Sequence, residues 1–287
     1  MKRSFGLGLM ALAAVTLLTA GMVLLSSCGG AKKDATSRTA SRQTAAERTT
    51  LKVQADIVPH AELLEFVKPG LEKQGVYIDI ITTTDSNLAN EQVANGELDV
   101  NFFQHEPYLK SIVAERGFDL VNGGNIHVEP IGAYAVKYKT TAEVPANAKI
   151  AIPNDATNEY RALRILEQAG FITLKQGVDV YQTTVANTVD RYLKPITLTE
   201  LDAALIIRVK DDFDVYITNT NKILEAGIDA KGSLFREGAD SPYANILGVK
   251  ASRVNDPAVK ALYTALTSEE VRQFIEGKYQ GAVIPAF

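Results

Sequence analysis

Asn101-Phe102-Phe103-Gln104-His105-Glu106-Pro107-Tyr108 sets two phenyl rings, an amide, an imidazole, a carboxylate and a phenol in eight residues. The apolar run at 98–102 predicts a strand, and Pro107 predicts a helix beginning there, because proline lacks the N–H that a first helical turn leaves unpaired anyway. Residues 103–106 then fall at the carboxyl end of a strand, where open α/β sheets bind ligands. A structural assignment also accommodates these residues, with the rings in a core and His105 as a capping group. At this level the two assignments stand side by side.

Working outward, residues 51–58 read as a strand. Pro59 opens a helix with Leu63, Leu64, Val67 and Leu71 on one side, interrupted at Pro69 and stopped by Gly75. A β-branched strand at 76–82, a polar loop at 83–87 and a short helix at 88–94 ending at Gly96 lead into the strand at 98–102. This β-α-β-α-β order with short connections predicts a parallel sheet covered on both faces. A helix at 107–116, a short strand at 118–121 and an extended stretch at 126–138 follow. A strand at 149–152, a loop at 154–157, a helix at 158–169, strands at 178–183 and 196–201, a helix at 202–210 and a strand at 215–218 predict a second α/β unit. After a polar segment at 229–243, a strand at 244–250 and helices at 256–266 and 268–279 close the chain. Extended stretches on either side of the middle unit imply two crossovers. Lobe 1 is expected at 51–130 with 240–287 and lobe 2 at 131–239, with a ligand cleft between them.

The amino terminus carries Lys2 and Arg3, an apolar run at 5–25 and Leu25-Ser26-Ser27-Cys28. A charged start, an apolar stretch and small residues describe a secretory signal over 1–27. The run is also long enough for an uncleaved anchor, but the single cysteine of the chain sits where a bacterial lipobox requires one. Cys28 is therefore expected to be lipidated, palmitate included, and to hold the protein on a membrane outside the cytoplasm. The polar stretch that follows, poor in large apolar residues, reads with it as a flexible tether over 28–50. With Cys28 acylated, no thiol remains for a disulfide, a nucleophile or a thiolate metal site. The net charge is −4, with 30 basic and 34 acidic residues, and no basic stripe appears, which argues against a nucleic-acid partner. No HExxH, GxSxG, Walker loop or CxxC motif occurs, and nothing pairs a nucleophile with a base, so an enzyme and a cofactor are not expected.

Four further stretches carry ligand-holding chemistry. Residues 154–161 form a strand-to-helix turn ending in Arg161, suited to an anion, although an N-cap with a surface ion pair accounts for it equally. Residues 218–221 supply amides that donate and accept. Residues 241–245 and 83–87 supply polar loops. Together, Asn-Phe-Phe-Gln-His-Glu-Pro-Tyr, Pro-Asn-Asp-Ala-Thr-Asn-Glu-Tyr-Arg (153–161) and Ser-Pro-Tyr-Ala-Asn (241–245) resemble, in order, the signatures of the methionine-binding lipoproteins of bacterial ABC importers, the NlpA lipoprotein family. Pro59-His60-Ala61-Glu62, Gly124-Asn125-Ile126-His127-Val128-Glu129-Pro130 and Leu224-Glu225-Ala226-Gly227 fit as well. The resemblance covers 51–287. It implies a two-lobed periplasmic binding protein fold of type II-like α/β architecture, one bound amino acid, and docking on a permease and its ATPase. By position, Phe103, His105 and Tyr108 line the pocket, Arg161 binds the ligand carboxylate, and Asn219 and Asn245 hold its polar backbone groups. The family loop matching 84–87 usually carries an aromatic residue where this chain has Ser86, and Thr218 and Lys222 also depart from the commoner residues. The side-chain end of the pocket is thereby left open.

The alternative from the residues themselves is a zinc or other metal-binding lipoprotein using His60, His105, His127 and Glu129. Their spacing matches no compact ligand motif.

Overall fold

The computed structural model describes residues 49–238 and 241–287. The expected signal, Cys28 and nearly all of the tether lie outside the described residues. Among the described residues no helix is long and apolar enough to cross a membrane.

The chain opens with β1 (Thr49–Asp56), α1 (Glu62–Glu72), β2 (Val76–Thr83), α2 (Ala89–Asn95), β3 (Val100–His105), α3 (Glu106–Arg116) and β4 (Leu120–Val128). It then builds β5 (Gly132–Tyr134), β6 (Lys149–Pro153), α4 (Ala156–Gln168), β7 (Ile172–Leu174), α5 (Val185–Thr188), β8 (Val189–Tyr192), β9 (Thr197–Leu201), α6 (Ala203–Ile206), β10 (Val215–Thr218), α7 (Thr220–Glu225) and β11 (Phe235–Arg236). It closes with β12 (Ala244–Lys250), α8 (Pro257–Leu266), α9 (Glu269–Tyr279) and β13 (Ile284–Pro285). Of the two large sheets, one has the order β13-β4-β12-β3-β1-β2 and the other β11-β5-β10-β6-β9, while β7 and β8 pair antiparallel as a small separate sheet. This is the mixed α/β, two-sheet architecture expected from the alternating pattern.

In the first sheet β1 pairs in parallel with β2 and β3, while β12 runs antiparallel between β3 and β4. In the second, β6 is parallel to β9 and β10, and β5 is antiparallel to β10. Leu63, Leu64 and Leu71 of α1 and Leu262 of α8 pack with Leu51, Val53, Phe102, Leu247 and Val249 in one core. Leu163 and Leu166 of α4 pack with Ile150, Ile152, Val215 and Ile217 in another. Each helix thus buries the stripe that its 3–4 residue spacing lines up.

Several local expectations change. The strand expected at 98–102 runs on to His105, and α3 begins at the next residue. Pairing of Asn245 with His105 and Ile246 with Gln104 carries the strand through, and that partner is remote in sequence. Helix α1 is not interrupted at Pro69. Pro69 and Glu65 are both exposed, so water reaches the carbonyl one turn back that the proline ring leaves unpaired. Residues 178–183 form turns, because Asp179 accepts from the Tyr181 N–H at 2.9 Å through its side chain and from the Gln182 N–H at 3.0 Å through its carbonyl. The helix expected at 202–210 is four α-helical residues followed by a 3₁₀ segment.

A closed set of buried amides fixes α2 against β3. Asn90 Nδ2 donates to Gln104 Oε1 (2.9 Å), Asn101 Nδ2 to Asn90 Oδ1 (2.8 Å), and Gln104 Nε2 to Asn101 Oδ1 (2.7 Å). Gly248 of β12 lies against them, and a Cβ there would collide with the Asn101 and Gln104 side chains. Gly248→Ala is expected to destabilise the fold by about 1–3 kcal/mol, the usual cost of overpacking, read as a lower urea midpoint with unchanged slope.

Candidate functional site

Between the two sheets lies a cavity lined by residues from the carboxyl ends of β1, β2, β3, β6 and β10, with Asn245 from the start of β12. Phe103, His105, Tyr108, Asn219, Asn245 and Ser86 all line it. Arg161 is not a lining residue but stands directly behind Asn158, which is.

His105 is the N-cap of α3, and its Nδ1 accepts the Tyr108 N–H at 3.1 Å. The ring proton therefore sits on Nε2, which donates to Asn158 Oδ1 at 3.0 Å. The same oxygen receives Arg161 Nη1 at 3.1 Å and Asn219 Nδ2 at 3.1 Å. Three donors from three elements meet on one atom. Asn158 is held there by Asp155, the α4 N-cap, whose carboxylate accepts the Asn158 N–H at 3.0 Å and its Nδ2 at 2.9 Å.

The remaining Arg161 donors are engaged internally. Nε and Nη2 form a two-pronged bridge to Glu237 at 2.9 and 2.7 Å, and Nη2 also donates to the Glu129 carbonyl at 2.8 Å. Tyr243 lies over the guanidinium, 4.5 Å from ring centroid to Cζ. Glu237 also accepts the Ile131 N–H at 3.1 Å and the Ser241 hydroxyl at 3.2 Å.

On the cavity floor, Glu129 Oε1 accepts His127 Nε2 at 2.8 Å and lies 3.3 Å from His60 Nε2, while Oε2 accepts the Asn221 N–H at 2.8 Å. Asn245 Oδ1 lies 3.2 Å from His60 Nε2. Burial pushes the Glu129 carboxyl upward. It also holds His60 down at about 4 and His127 at about 3. His105 falls to about 3, through burial and then the Arg161 charge. The zinc alternative loses one of its four ligands here: His60, His127 and Glu129 do cluster within 4.8 Å, whereas His105 spends both ring nitrogens on Tyr108 and Asn158.

Another part of the lining is charged. Asp56 Oδ2 accepts Lys222 Nζ at 2.8 Å and Asn221 Nδ2 at 2.6 Å, and Oδ1 accepts the Ser86 hydroxyl at 2.5 Å. Ser86 and Lys222, two positions where the sequence departs from its resemblance, thus meet on one carboxylate. Sequence reading did not single out Asp56 or Glu237, whereas Asn221 lay within the quoted amide stretch 218–221. Asp56 sits at a strand end beside a quoted stretch, which was the available signal, and Glu237 lies in an unpatterned polar segment.

A cavity between two α/β sheets, spanned by two chain crossovers and lined by amides and charges, is the arrangement of a substrate-binding protein. A family profile described as NlpA lipoprotein matches residues 51–287. Membrane lipoprotein TpN32 of Treponema pallidum is 40% identical over 230 residues, covering 79% of this chain and 85% of the relative. A nutrient binding protein from Burkholderia cenocepacia, solved bound to methionine, superposes with a TM-score of 0.78 at 37% identity, covering 83% of this chain and all of that one (100%). A periplasmic substrate-binding protein of an ABC transporter from Coxiella burnetii gives 0.77 at 36% identity, covering 82% and 100%. The chain belongs to the NlpA lipoprotein family.

All three histidines should remain neutral well below their ordinary range. Their NMR ring-proton shifts are expected to stay flat from about pH 8 to pH 5, and a midpoint near 6.5 at any of them would place that ring in water. The unfolded chain takes up these protons near 6.5 and the folded chain does not. The three rings therefore disfavour the folded state increasingly as pH falls from about 6.5 toward 4. Glu225, raised to about 7 by burial, acts in the opposite sense.

Proposed function

We propose that this chain is a non-enzymatic, lipid-anchored binding protein that captures one amino acid, methionine or a related one, and delivers it to the permease and ATPase of an ABC importer. The observation that supports it most is the convergence of His105, Arg161 and Asn219 on Asn158 Oδ1. Three N–H donors aimed at one point, one of them from a guanidinium, suit a carboxylate oxygen better than a neutral amide, since hydrogen bonds to a charged acceptor are about twice as strong. On this reading the ligand carboxylate displaces the Asn158 oxygen and inherits its donors. The ammonium is taken by Asn245 and the Glu129 carboxylate, and Phe103 and Tyr108 flank the side chain. A buried zwitterion requires both charges to be matched in this way.

The lobes are taken as 51–130 with 240–287 and 131–239, closing on the ligand about the two crossovers. The signal at 1–27, the acylated Cys28 and the tether at 28–50 would hold the chain at a membrane, outside the cytoplasm. The methionine in the Burkholderia cenocepacia protein and the transporter assignment of the Coxiella burnetii protein support the ligand and the importer.

Isothermal titration with the twenty amino acids, after unfolding and refolding to strip bound ligand, is expected to give heat with at least one. No heat with any of them overturns the reading. Arg161→Ala should raise Kd by about thirtyfold or more, the cost of leaving a buried charge unpaired being about 2–5 kcal/mol. Asn219→Ala, which removes one neutral donor, should raise it about tenfold. Both variants should unfold cooperatively. Unchanged affinity in Arg161→Ala would reduce Arg161 to a clamp on Glu237.

A further inference from the structure

Part of the cavity lining is built around a buried ion pair, Asp56 and Lys222. Asp56 and Lys222 have side chains only 3% and 14% exposed and lie 2.8 Å apart. Burying two charges carries a desolvation penalty that pairing must offset, which makes a poor lining for a side chain that offers nothing polar in return.

Where this network is filled and where it is not is informative. The three Lys222 ammonium protons are spent on Asp56, on the Thr84 carbonyl at 3.1 Å and on Glu225 at 3.3 Å. The Ser86 hydroxyl proton is spent on Asp56, and Ser86 Oγ accepts Gln54 Nε2 at 2.9 Å. Asp56 Oδ2 takes two donors, whereas Oδ1 takes the serine hydroxyl. A carboxylate has room for about four donors, so one position on Asp56 is open. Behind the cavity lining, Gln54 Oε1 and Glu225 Oε1 are buried and without a partner among the described residues. The unfilled positions are all acceptors. Lys222 is the cation that stands against Asp56 and Glu225.

Resting on the amino-acid reading above, we infer that this wall selects a ligand whose side chain ends in N–H donors, a primary amide or a cation, over one ending in a thioether or alkyl group. Asp56 is the specificity-determining residue, with Lys222 and Ser86 holding its carboxylate against the cavity. Phe103 and Tyr108 remain available to the aliphatic stem. An apolar terminus would strip water from the open acceptor and leave it unpaired, weakening binding about tenfold or more. An N–H group would fill it.

The test is isothermal titration of the full chain, stripped and refolded, with L-glutamine, L-lysine, L-methionine and L-norleucine, which have similar length and different termini. Glutamine or lysine is expected to bind at least tenfold more tightly than both methionine and norleucine. In the double variant Asp56→Ala, Lys222→Met, which removes both charges together, the preference should move at least tenfold toward methionine, with cooperative urea unfolding retained. If methionine or norleucine binds wild type more tightly than both N–H ligands, the inference is overturned while the amino-acid reading stands. A cooperatively folded double variant that keeps the wild-type preference overturns it equally. Failure of all twenty amino acids to bind removes the amino-acid reading and this inference with it.

Discussion

The guanidinium of Arg161 is the contact on which the site and the crossovers both depend. It is 2% exposed, and such a charge is tolerated only with its donors satisfied. Its partners come from separate parts of the chain: the Glu129 carbonyl just after β4, Glu237 just after β11, and Asn158 on its own helix. The two strand exits are thereby tied to the start of α4, and the third prong of the fork is presented toward the cavity. Because Glu237 also takes the Ile131 N–H, both crossovers are held by one side-chain pair. One ion pair therefore touches both the cavity lining and the crossovers.

The imidazoles show a second constraint, exclusion of water. His60 and His127 use Nε2 on Glu129 and leave their Nδ1 atoms buried without partners. An unpaired acceptor is cheaper to bury than an unpaired proton donor or a charge, and burial keeps the rings neutral. Neutral rings can still donate to Glu129, so the carboxylate keeps directed N–H partners although no cation contacts it. Phe102 seals the group from one side, edge-on to both rings at 4.7 and 5.4 Å.

Much of the fold was legible in sequence because periodicity reports local burial. The strands at 215–218 and 244–250 fall where their apolar runs predict, and the closing helices begin at Pro257 and Glu269, beside their capping residues Asp256 and Ser268. The misses have two causes, one remote and one local. β3 is extended by a partner 140 residues away in the chain (Asn245 against His105), and 178–183 is bent by a side-chain hydrogen bond that competes with strand pairing. In the site, residues in dense polar motifs were visible, and Phe103, His105, Tyr108, Asn219 and Asn245 do meet around one cavity. Asp56 was not, since an acid at a strand end has no pattern until Ser86 and Lys222 arrive from elsewhere. Glu237 was hidden for the same reason.

The position of β12 has a consequence for synthesis. Residues 49–128 supply β1 to β4, yet β12 lies between β3 and β4. Until residue 250 has left the ribosome, that sheet exists only as two pieces with unpaired edges. Closure waits on contacts of high sequence separation, which form slowly because the intervening loop must be ordered first. A late-arriving central strand thus acts as a built-in delay, keeping this sheet open until nearly all of the chain has been made.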